Sequence, residues 1–150
     1  MTLELRIWLI AGLVAFATAA GLYWKARTGR AHRVRSGEQV DLGKLEALKD
    51  GKAISKFGRK ATALQFSTEV CSQCRQTARL LGELETKHKD LLHIEVDVTN
   101  RLDLAAHFKV LQTPTTLLLD SSGRVRARIG GAPKPQVLQE ELKKLEIKNV

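Results

Sequence analysis

The chain of 150 residues contains only two cysteines, Cys71 and Cys74, and its four histidines are scattered. So few cysteines exclude a disulfide-dense mini-protein. A structural zinc site needs four ligands, usually from two closely spaced pairs, and because only one pair is present we expect no metal. Aromatic residues make up only 5% of the chain, which argues against a surface that stacks nucleic-acid bases on exposed rings.

Acidic residues are also scarce, since 16 Asp and Glu oppose 25 Lys and Arg and leave a formal net charge of +9. More than half of that excess lies in residues 25–35, which contain five cations and no acid. Residues 36–150 hold 19 cations against 15 acids and are only mildly basic. A short basic run is not the charged face of a nucleic-acid-binding domain, so we expect no nucleic-acid partner.

Charge is absent altogether from residues 7–24, a run of 18 residues. As a helix that rises about 1.5 Å per residue, the run spans roughly 27 Å, enough for a hydrocarbon core. Tryptophan and tyrosine stand near its two ends, where their rings favour the headgroup level. The pattern predicts a transmembrane helix over residues 6–24, followed by a basic juxtamembrane tether over 25–39.

Two alternatives for the apolar run are less consistent with its composition. A buried core helix is one, but helices that are apolar on every side are rare in so small a domain. A cleaved signal peptide is the other, because Ala17-Thr18-Ala19 resembles a small-residue cleavage site. Against cleavage, the apolar stretch continues to Trp24 and cations follow it immediately.

The cations also predict the orientation of an anchored chain. The N-terminal flank has Arg6 and the amino group against Glu4, whereas five cations follow the apolar run. The positive-inside rule therefore predicts a single-pass protein of the cell membrane with residues 25–150 on the cytoplasmic side, the extracytoplasmic side being the alternative. The same cations can bind anionic headgroups of the lipid bilayer.

Residues 40–150 alternate between helical and strand patterns and predict one α/β domain. Helices between strands imply parallel pairing at first, and a tight turn near the C-terminus gives one antiparallel pair at the end. In chain order, we expect a helix over 40–51, a strand over 60–68, a helix over 71–89, a strand over 91–98, a helix over 100–110, a hairpin of strands 115–119 and 124–129, and a helix over 134–147.

The cysteine pair lies where a buried strand gives way to a helix. A bridge across two residues closes too small a loop to stabilise a fold much, so a purely structural disulfide explains the pair poorly. At a helix N-terminus, backbone N–H groups and the helix dipole stabilise the thiolate of Cys71, and Arg75 adds to that field. Cys71 can then attack a partner's disulfide, and Cys74 can attack Cys71 and release the reduced partner.

The order of these motifs resembles the thioredoxin family over about residues 40–147. The resemblance is carried by "ALQFSTEVCSQCR", the strand "IEVDV", "TPT" before a hairpin, "GRVRARIGG" and the closing amphipathic helix. It implies a thioredoxin-like fold, with a central mixed sheet flanked by helices. It also implies exchange with protein thiols and disulfides that needs no cofactor besides the redox-active disulfide of the pair. The electron donor is not identified by the sequence.

The resemblance further implies where a substrate binds. The proline that corresponds to Pro114 is cis in the family and faces the cysteine pair. The backbone at Thr113 and Pro114 would therefore pair with an extended substrate segment, and Gly130 resembles the glycine that flanks the same groove.

The chain departs from the family beside the pair and behind it. Val70 replaces the Trp that precedes the first cysteine, and Ser72 and Gln73 replace the Gly-Pro between the two. Gln65 replaces a buried Asp that helps to deprotonate the second thiol, and Glu95 replaces the lysine partner of that Asp.

These departures, together with Arg75, are expected to tune reduction potential and partner choice. For the second thiol, two hypotheses stay open. Cys74 is either activated by Glu95 through a water, or it reacts without a dedicated base.

The sequence thus predicts a membrane-tethered thiol–disulfide oxidoreductase in which Cys71 is the nucleophile and Cys74 the resolving residue, with membrane-associated proteins as its substrates. An oxidant or isomerase of the same fold outside the membrane is a second interpretation, separated from the first by its reduction potential. A third is an adaptor or redox sensor that binds a membrane partner without efficient turnover. The altered Gln65 and Val70 are the only support for that third interpretation.

Overall fold

The computed structural model describes residues 3–34, 37–49 and 52–147. Five strands form a central mixed sheet in the order β1-β7-β6-β4-β5, and β2 pairs with β3 in a separate ribbon. This arrangement confirms the expected thioredoxin-like sheet flanked by helices. The elements are α1 (Leu3–Arg27), β1 (Ala31–Arg33), α2 (Leu42–Leu45), β2 (Leu48–Lys49), β3 (Lys52–Ala53), β4 (Ala61–Ser67), α3 (Ser72–Lys87), β5 (Leu91–Asp97), α4 (Leu102–His107), β6 (Thr115–Asp120), β7 (Val125–Gly130) and α5 (Pro135–Lys144).

Strand β4 is buried along its whole length because it lies inside the sheet with both faces covered. Its side chains alternate between two apolar clusters, as the two-residue period of a strand requires. Leu64 and Phe66 join the cluster that includes α2 and α4 residues. Ala61 and Ala63 face the cluster built with α3 and α5. The strand that leads to the cysteines is therefore fixed from both sides.

The pairing of β6 corrects one topological expectation. Strands β4 and β5 are parallel, as predicted, but β6 runs antiparallel to β4, with Phe66 opposite Thr115. Among the described strands, β4–β5 is the single parallel pair. The reason is length, since the six residues of α4 rise only about 9 Å and do not carry the chain back along a strand of roughly 23 Å.

The helix expected over 40–51 is also shorter than predicted. It is a single turn, Leu42–Leu45, that begins where Asp41 accepts a hydrogen bond from the N–H of Gly43 and ends at Glu46 in the left-handed conformation. Burial of Leu42 and Leu45 accounts for the apolar spacing, and the chain then turns into the ribbon of β2 and β3.

The segment expected as a tether over 25–39 contains a strand of the main sheet. Residues 31–33 form β1, which pairs antiparallel with β7, and Gln39 forms an isolated bridge with Arg124. Without β1, strand β7 would present its outer row of N–H and C=O groups to solvent, as every sheet edge does. This local pairing overrides the basic, weakly patterned composition from which a tether was inferred.

Helix α1 is the one helix of the described residues that is long and apolar enough to cross a membrane, over Leu3–Ala26 with a mean hydropathy of 1.8. None of that apolar window is buried against the rest of the protein. A core helix would be buried, so this observation excludes the core-helix interpretation of the segment. An N-terminal signal sequence would pass the same test of length and composition.

The chain contacts the end of β7 just after α1 ends at Arg27. The N–H of Gly29 donates to the carbonyl of Gly130 at 2.9 Å. Gly29 has φ +75°, and a Cβ atom there would lie 2.5 Å from the carbonyl oxygen of Ala132. Only glycine allows both the left-handed conformation and the close approach to Ala132, so Gly29 fixes the chain that leaves α1 against the domain.

Replacement of Gly29 by alanine tests this packing contact. We expect Gly29→Ala to lower the free energy of unfolding of the full chain in detergent micelles by about 2–3 kcal/mol, from the left-handed conformation and the backbone clash together. Gly37→Ala is the matched control, because Gly37 also has a positive φ (+50°) but nothing lies within 4 Å of its added Cβ. The control should lose only about 1 kcal/mol of its free energy of unfolding. Equal losses in urea titrations of the two variants would contradict the packing role of Gly29.

Candidate active site

The cysteine pair lies at the N-terminus of α3, where the chain leaves β4. Cys71 is the N-cap residue in an extended conformation, and its Sγ accepts a hydrogen bond from the N–H of Cys74 at 3.1 Å. A sulfur in the N-cap position accepts from N–H groups that have no partner within the helix, at the positive end of the helix dipole. Such donors stabilise a thiolate more than a thiol, so the local fold favours Cys71 as the nucleophile.

The two sulfurs differ in exposure. They are joined in a disulfide with a Cα–Cα distance of 5.2 Å. Cys71 is half-buried, whereas Cys74 is 2% exposed. An incoming disulfide can therefore reach Cys71 and not Cys74, while Cys74 remains within bonding distance of Cys71. This geometry allows one sulfur to attack a partner and the other to resolve the adduct.

Pro114 lies on the loop beside the pair. The Thr113–Pro114 peptide bond is cis, as the family resemblance implied. The hydroxyl of Thr113 lies 3.2 Å from the hydroxyl of Thr68, which is three residues before Cys71. Since β4 and β6 pair antiparallel up to Phe66 and Thr115, the end of one strand and the start of the other bring these two loops together.

Gly130 closes the same edge from β7. It pairs with Thr115, and a Cβ atom at Gly130 would lie 2.6 Å from the Nε2 atom of Gln112. The N–H of Gly131 donates to the carbonyl of Pro114 at 2.8 Å. The backbone around the cis proline is thus held by neighbouring glycines, and the carbonyl of one of them, Gly130, also accepts from the N–H of Gly29.

The residues around the sulfurs form an exposed rim. Val70, Ser72, Gln73 and Arg75 are all exposed, and Val70 is 97% so. Sequence reasoning missed a second apolar side chain, Leu111, which is 95% exposed three residues before Pro114. The sequence offered one indication of this position, because Leu111 stands two residues before the "TPT" motif and belongs to no periodic apolar pattern. Large apolar side chains this exposed on loops beside a reactive group suit contact with a partner protein.

The side chain behind Cys74 differs from the expectation. Gln65 is fully buried, and its Nε2 donates to the carbonyl of Cys74 at 2.9 Å. The side chain that contacts the Gln65 Oε1 atom is that of His93, whose Nε2 lies 3.2 Å away. Glu95, the expected partner, pairs with Gln65 in backbone register but exposes its side chain near the end of β5. The hypothesis that Glu95 activates Cys74 is not supported by this placement.

The alternation of side chains along β5 could have indicated the environment of His93, because every second residue of a strand lies on the same face of the sheet. His93 and Glu95 share a face of that strand with Leu91, which packs on the α3 side of the sheet. Burial lowers the pKa of His93 to about 4, a shift that Glu85 opposes and Lys49 reinforces. The imidazole is therefore neutral near pH 7, and no buried carboxylate contacts Gln65 among the hydrogen bonds of the described residues.

Two buried hydroxyls complete this polar region. Thr116 lies opposite Gln65 in the β4–β6 register, and Thr77 follows Cys74 by one turn on the buried side of α3. Neither hydroxyl has a hydrogen-bond partner within the described part of the chain. Among residues 3–34, 37–49 and 52–147, no group of three or more His, Cys, Asp or Glu could hold a metal ion.

Known proteins match this chain over the same elements. A family model described as Thioredoxin matches residues 45–144. Thioredoxin H9 of Arabidopsis thaliana is 29% identical over 109 residues, which cover 73% of this chain and 71% of that protein. Thioredoxin H5 of Oryza sativa subsp. japonica is 31% identical over 86 residues, which cover 57% of this chain and 62% of that protein. The match therefore spans slightly less than two thirds of the rice protein.

A solved structure supports the fold. The short form of thioredoxin F from spinach chloroplast superposes with a TM-score of 0.53 at 23% identity, covering 59% of this chain and 79% of that one. At this identity the likeness shows the fold alone. Because the family model covers about two thirds of the sequence, the chain belongs to the thioredoxin family, and its cysteine pair stands at the start of α3.

Proposed function

We propose that this chain is a membrane-tethered thiol–disulfide oxidoreductase that exchanges disulfides with membrane-associated proteins. The observation that carries the proposal is the unequal placement of the two sulfurs. Cys71 caps α3 and is reachable from solvent, whereas Cys74 is buried one turn later within bonding distance. The exchange needs both properties, one for the incoming disulfide and one for the intramolecular step.

The reaction runs in two displacements. In the reduced protein, the Cys71 thiolate attacks one sulfur of the partner's disulfide, which forms a mixed disulfide and releases the partner's other sulfur as a thiolate. Cys74 then loses its proton to a solvent base and attacks Cys71, and the partner's second sulfur leaves. Two electrons pass to the partner, whose two thiolates take up two protons, and the Cys71–Cys74 disulfide is restored.

Substrate binding is proposed along the loops beside the pair. An extended segment of the partner would lie against the backbone of Thr113 and Pro114, with Gly130 at the edge of the groove. The exposed apolar side chains of Val70 and Leu111 add contacts of a kind that do not depend on a particular partner sequence. Val70 also stands where the family has Trp, so partners are expected to differ from those of general thioredoxins.

The residues next to the sulfurs are proposed to tune the exchange. Ser72 and Gln73 lie between the cysteines in the first turn of α3, and the guanidinium of Arg75 follows directly. Positive charge near a helix N-terminus adds to the field that favours a thiolate. The reduction potential is therefore set by this turn together with the uncharged region behind it.

Membrane attachment through α1 is the finer part of the proposal. Its apolar window is fully exposed to the surroundings of the protein, which a bilayer would cover. We propose a span over residues 6–24 and a redox domain over 40–150, joined by a juxtamembrane segment over 25–39 whose residues 31–33 add strand β1 to the sheet of that domain. The positive-inside rule favours the cytoplasmic side for the domain. Confinement to the membrane plane raises the effective concentration of the redox pair toward membrane-bound partners.

Single cysteine variants test the exchange. In the reduction of insulin by dithiothreitol, we expect the full chain in micelles to accelerate turnover and Cys71→Ser to fall to the background rate, since the nucleophile is gone. Cys74→Ser should instead accumulate a mixed disulfide on Cys71, detectable by mass spectrometry. Gln136→Ala, at an exposed position on α5, is the control and should keep the wild-type rate. Equal activity of wild type and Cys71→Ser would favour the adaptor interpretation.

Charge insertion tests the anchor. A pair of arginines in the middle of α1, Leu13→Arg with Val14→Arg, costs about 2.5–3.5 kcal/mol per residue in a membrane span. We expect the wild type to stay in the membrane fraction after alkaline carbonate washing with its N-terminus intact, and the double variant to be released. Leu13→Ile with Val14→Ile is the matched control and should remain. A wild-type chain recovered in solution and lacking residues 1–19 would identify a signal peptide instead.

A further inference from the structure

A continuous set of hydrogen bonds joins the resolving cysteine to a histidine on the neighbouring strand. The carbonyl of Cys74 accepts from Nε2 of Gln65 at 2.9 Å. The other end of the same amide, Oε1, lies 3.2 Å from Nε2 of His93. Gln65 is fully buried on β4, so both ends of its amide are used inside the protein.

These contacts define the protonation of the imidazole. Because the NH₂ group of Gln65 donates to Cys74, its oxygen is left as the acceptor toward His93. The Nε2 atom of His93 must therefore carry a hydrogen and donate it. Burial lowers the pKa of His93 to about 4, so near pH 7 the ring is neutral, with hydrogen on Nε2 and none on Nδ1.

Charged residues on two other elements hold the backbone of His93. Glu85 on α3 accepts from the N–H of His93 at 3.3 Å, and Lys49 on β2 donates to its carbonyl at 3.2 Å. Lys49 and Glu85 also form a salt bridge with each other. On β4 the contact is the uncharged Gln65, and on β5 itself Glu95 turns its carboxylate to solvent. The two charges act on the ring in opposite directions, since Glu85 raises the pKa of His93 and Lys49 lowers it.

We propose that His93 is a positioning residue for the resolving step, acting through Gln65 on the first turn of α3. The inference rests on the proposed exchange through Cys71 and Cys74. The amide holds the Cys74 carbonyl against β4, which keeps the Cys74 sulfur buried and directed at Cys71. His93 fixes that amide by binding its oxygen. Without the imidazole the amide is free to rotate and the first turn loosens, so the intramolecular attack becomes slower.

The proposed role of His93 concerns the resolution of the mixed disulfide and not its formation. Cys71 attacks its partner from the exposed side of the helix N-terminus, with no contact to Gln65 or His93 among the hydrogen bonds of the described residues. Formation of the mixed disulfide should therefore be insensitive to His93. Its resolution by Cys74 should be sensitive. A general loss of folding would slow both steps together.

Stopped-flow kinetics with a fluorophore-labelled disulfide peptide separate the two steps in the reduced full chain in micelles. For His93→Leu, which removes the donor, we expect mixed-disulfide formation within twofold of wild type and resolution at least tenfold slower. His93→Gln retains an amide donor and should resolve within about threefold of wild type. Glu95→Gln should match wild type in both steps. Wild-type resolution in His93→Leu, or equal slowing of both steps, would overturn the inference.

The wild type carries a second test that needs no variant. Nitrogen-15 NMR of the histidine rings should show His93 with hydrogen on Nε2 from pH 5 to 8, and a titration midpoint of about 4. Hydrogen on Nδ1 and none on Nε2 in the neutral ring would overturn the inference even if His93→Leu fails to fold. A wild-type chain that forms no mixed disulfide at all would instead refute the proposed exchange, which the first kinetic phase reports separately.

Discussion

The cap of α3 is the interaction on which the rest of the site depends. The sulfur of Cys71 takes the place of a capping oxygen and accepts from the N–H of Cys74, so the turn that starts the helix also holds the two cysteines together. The position of this turn is set by β4, which is buried on both faces. A slip of one residue would exchange the faces of every β4 side chain, so the start of the helix is fixed by the core.

Behind the cap, the chain achieves its geometry with neutral groups. Burying an unpaired charge is costly, whereas a buried amide with both ends hydrogen-bonded is not. Gln65 meets this condition through Cys74 and His93. Among the described residues no buried carboxylate contacts Gln65, and the proposed mechanism therefore has Cys74 lose its proton to a solvent base. The two cysteines therefore depend on different interactions. Helix N–H groups stabilise the thiolate of Cys71, whereas side-chain contacts position Cys74.

Much of this was accessible from the sequence. The buried run of β4, the alternation of β5 and the cysteines between strand and helix predicted the local elements, because those patterns reflect burial of short segments. Three elements were missed: the ribbon of β2 and β3, the strand at residues 31–33 and the antiparallel direction of β6. Each depends on which sheet edge is free to pair or on how far a short helix carries the chain, and a local sequence pattern contains neither. His93 was missed for a similar reason, since its importance comes from a neighbouring strand.

The most direct test of the central claim is the rate at which iodoacetamide alkylates each cysteine of the reduced full chain near neutral pH, read by peptide mass spectrometry. The account predicts that Cys71 reacts much faster than free cysteine, because its thiolate is stabilised at the helix N-terminus. It predicts that Cys74 reacts far more slowly, because it is buried. A Cys71 no faster than free cysteine, or a Cys74 that reacts first, would contradict the assignment of the two sulfurs.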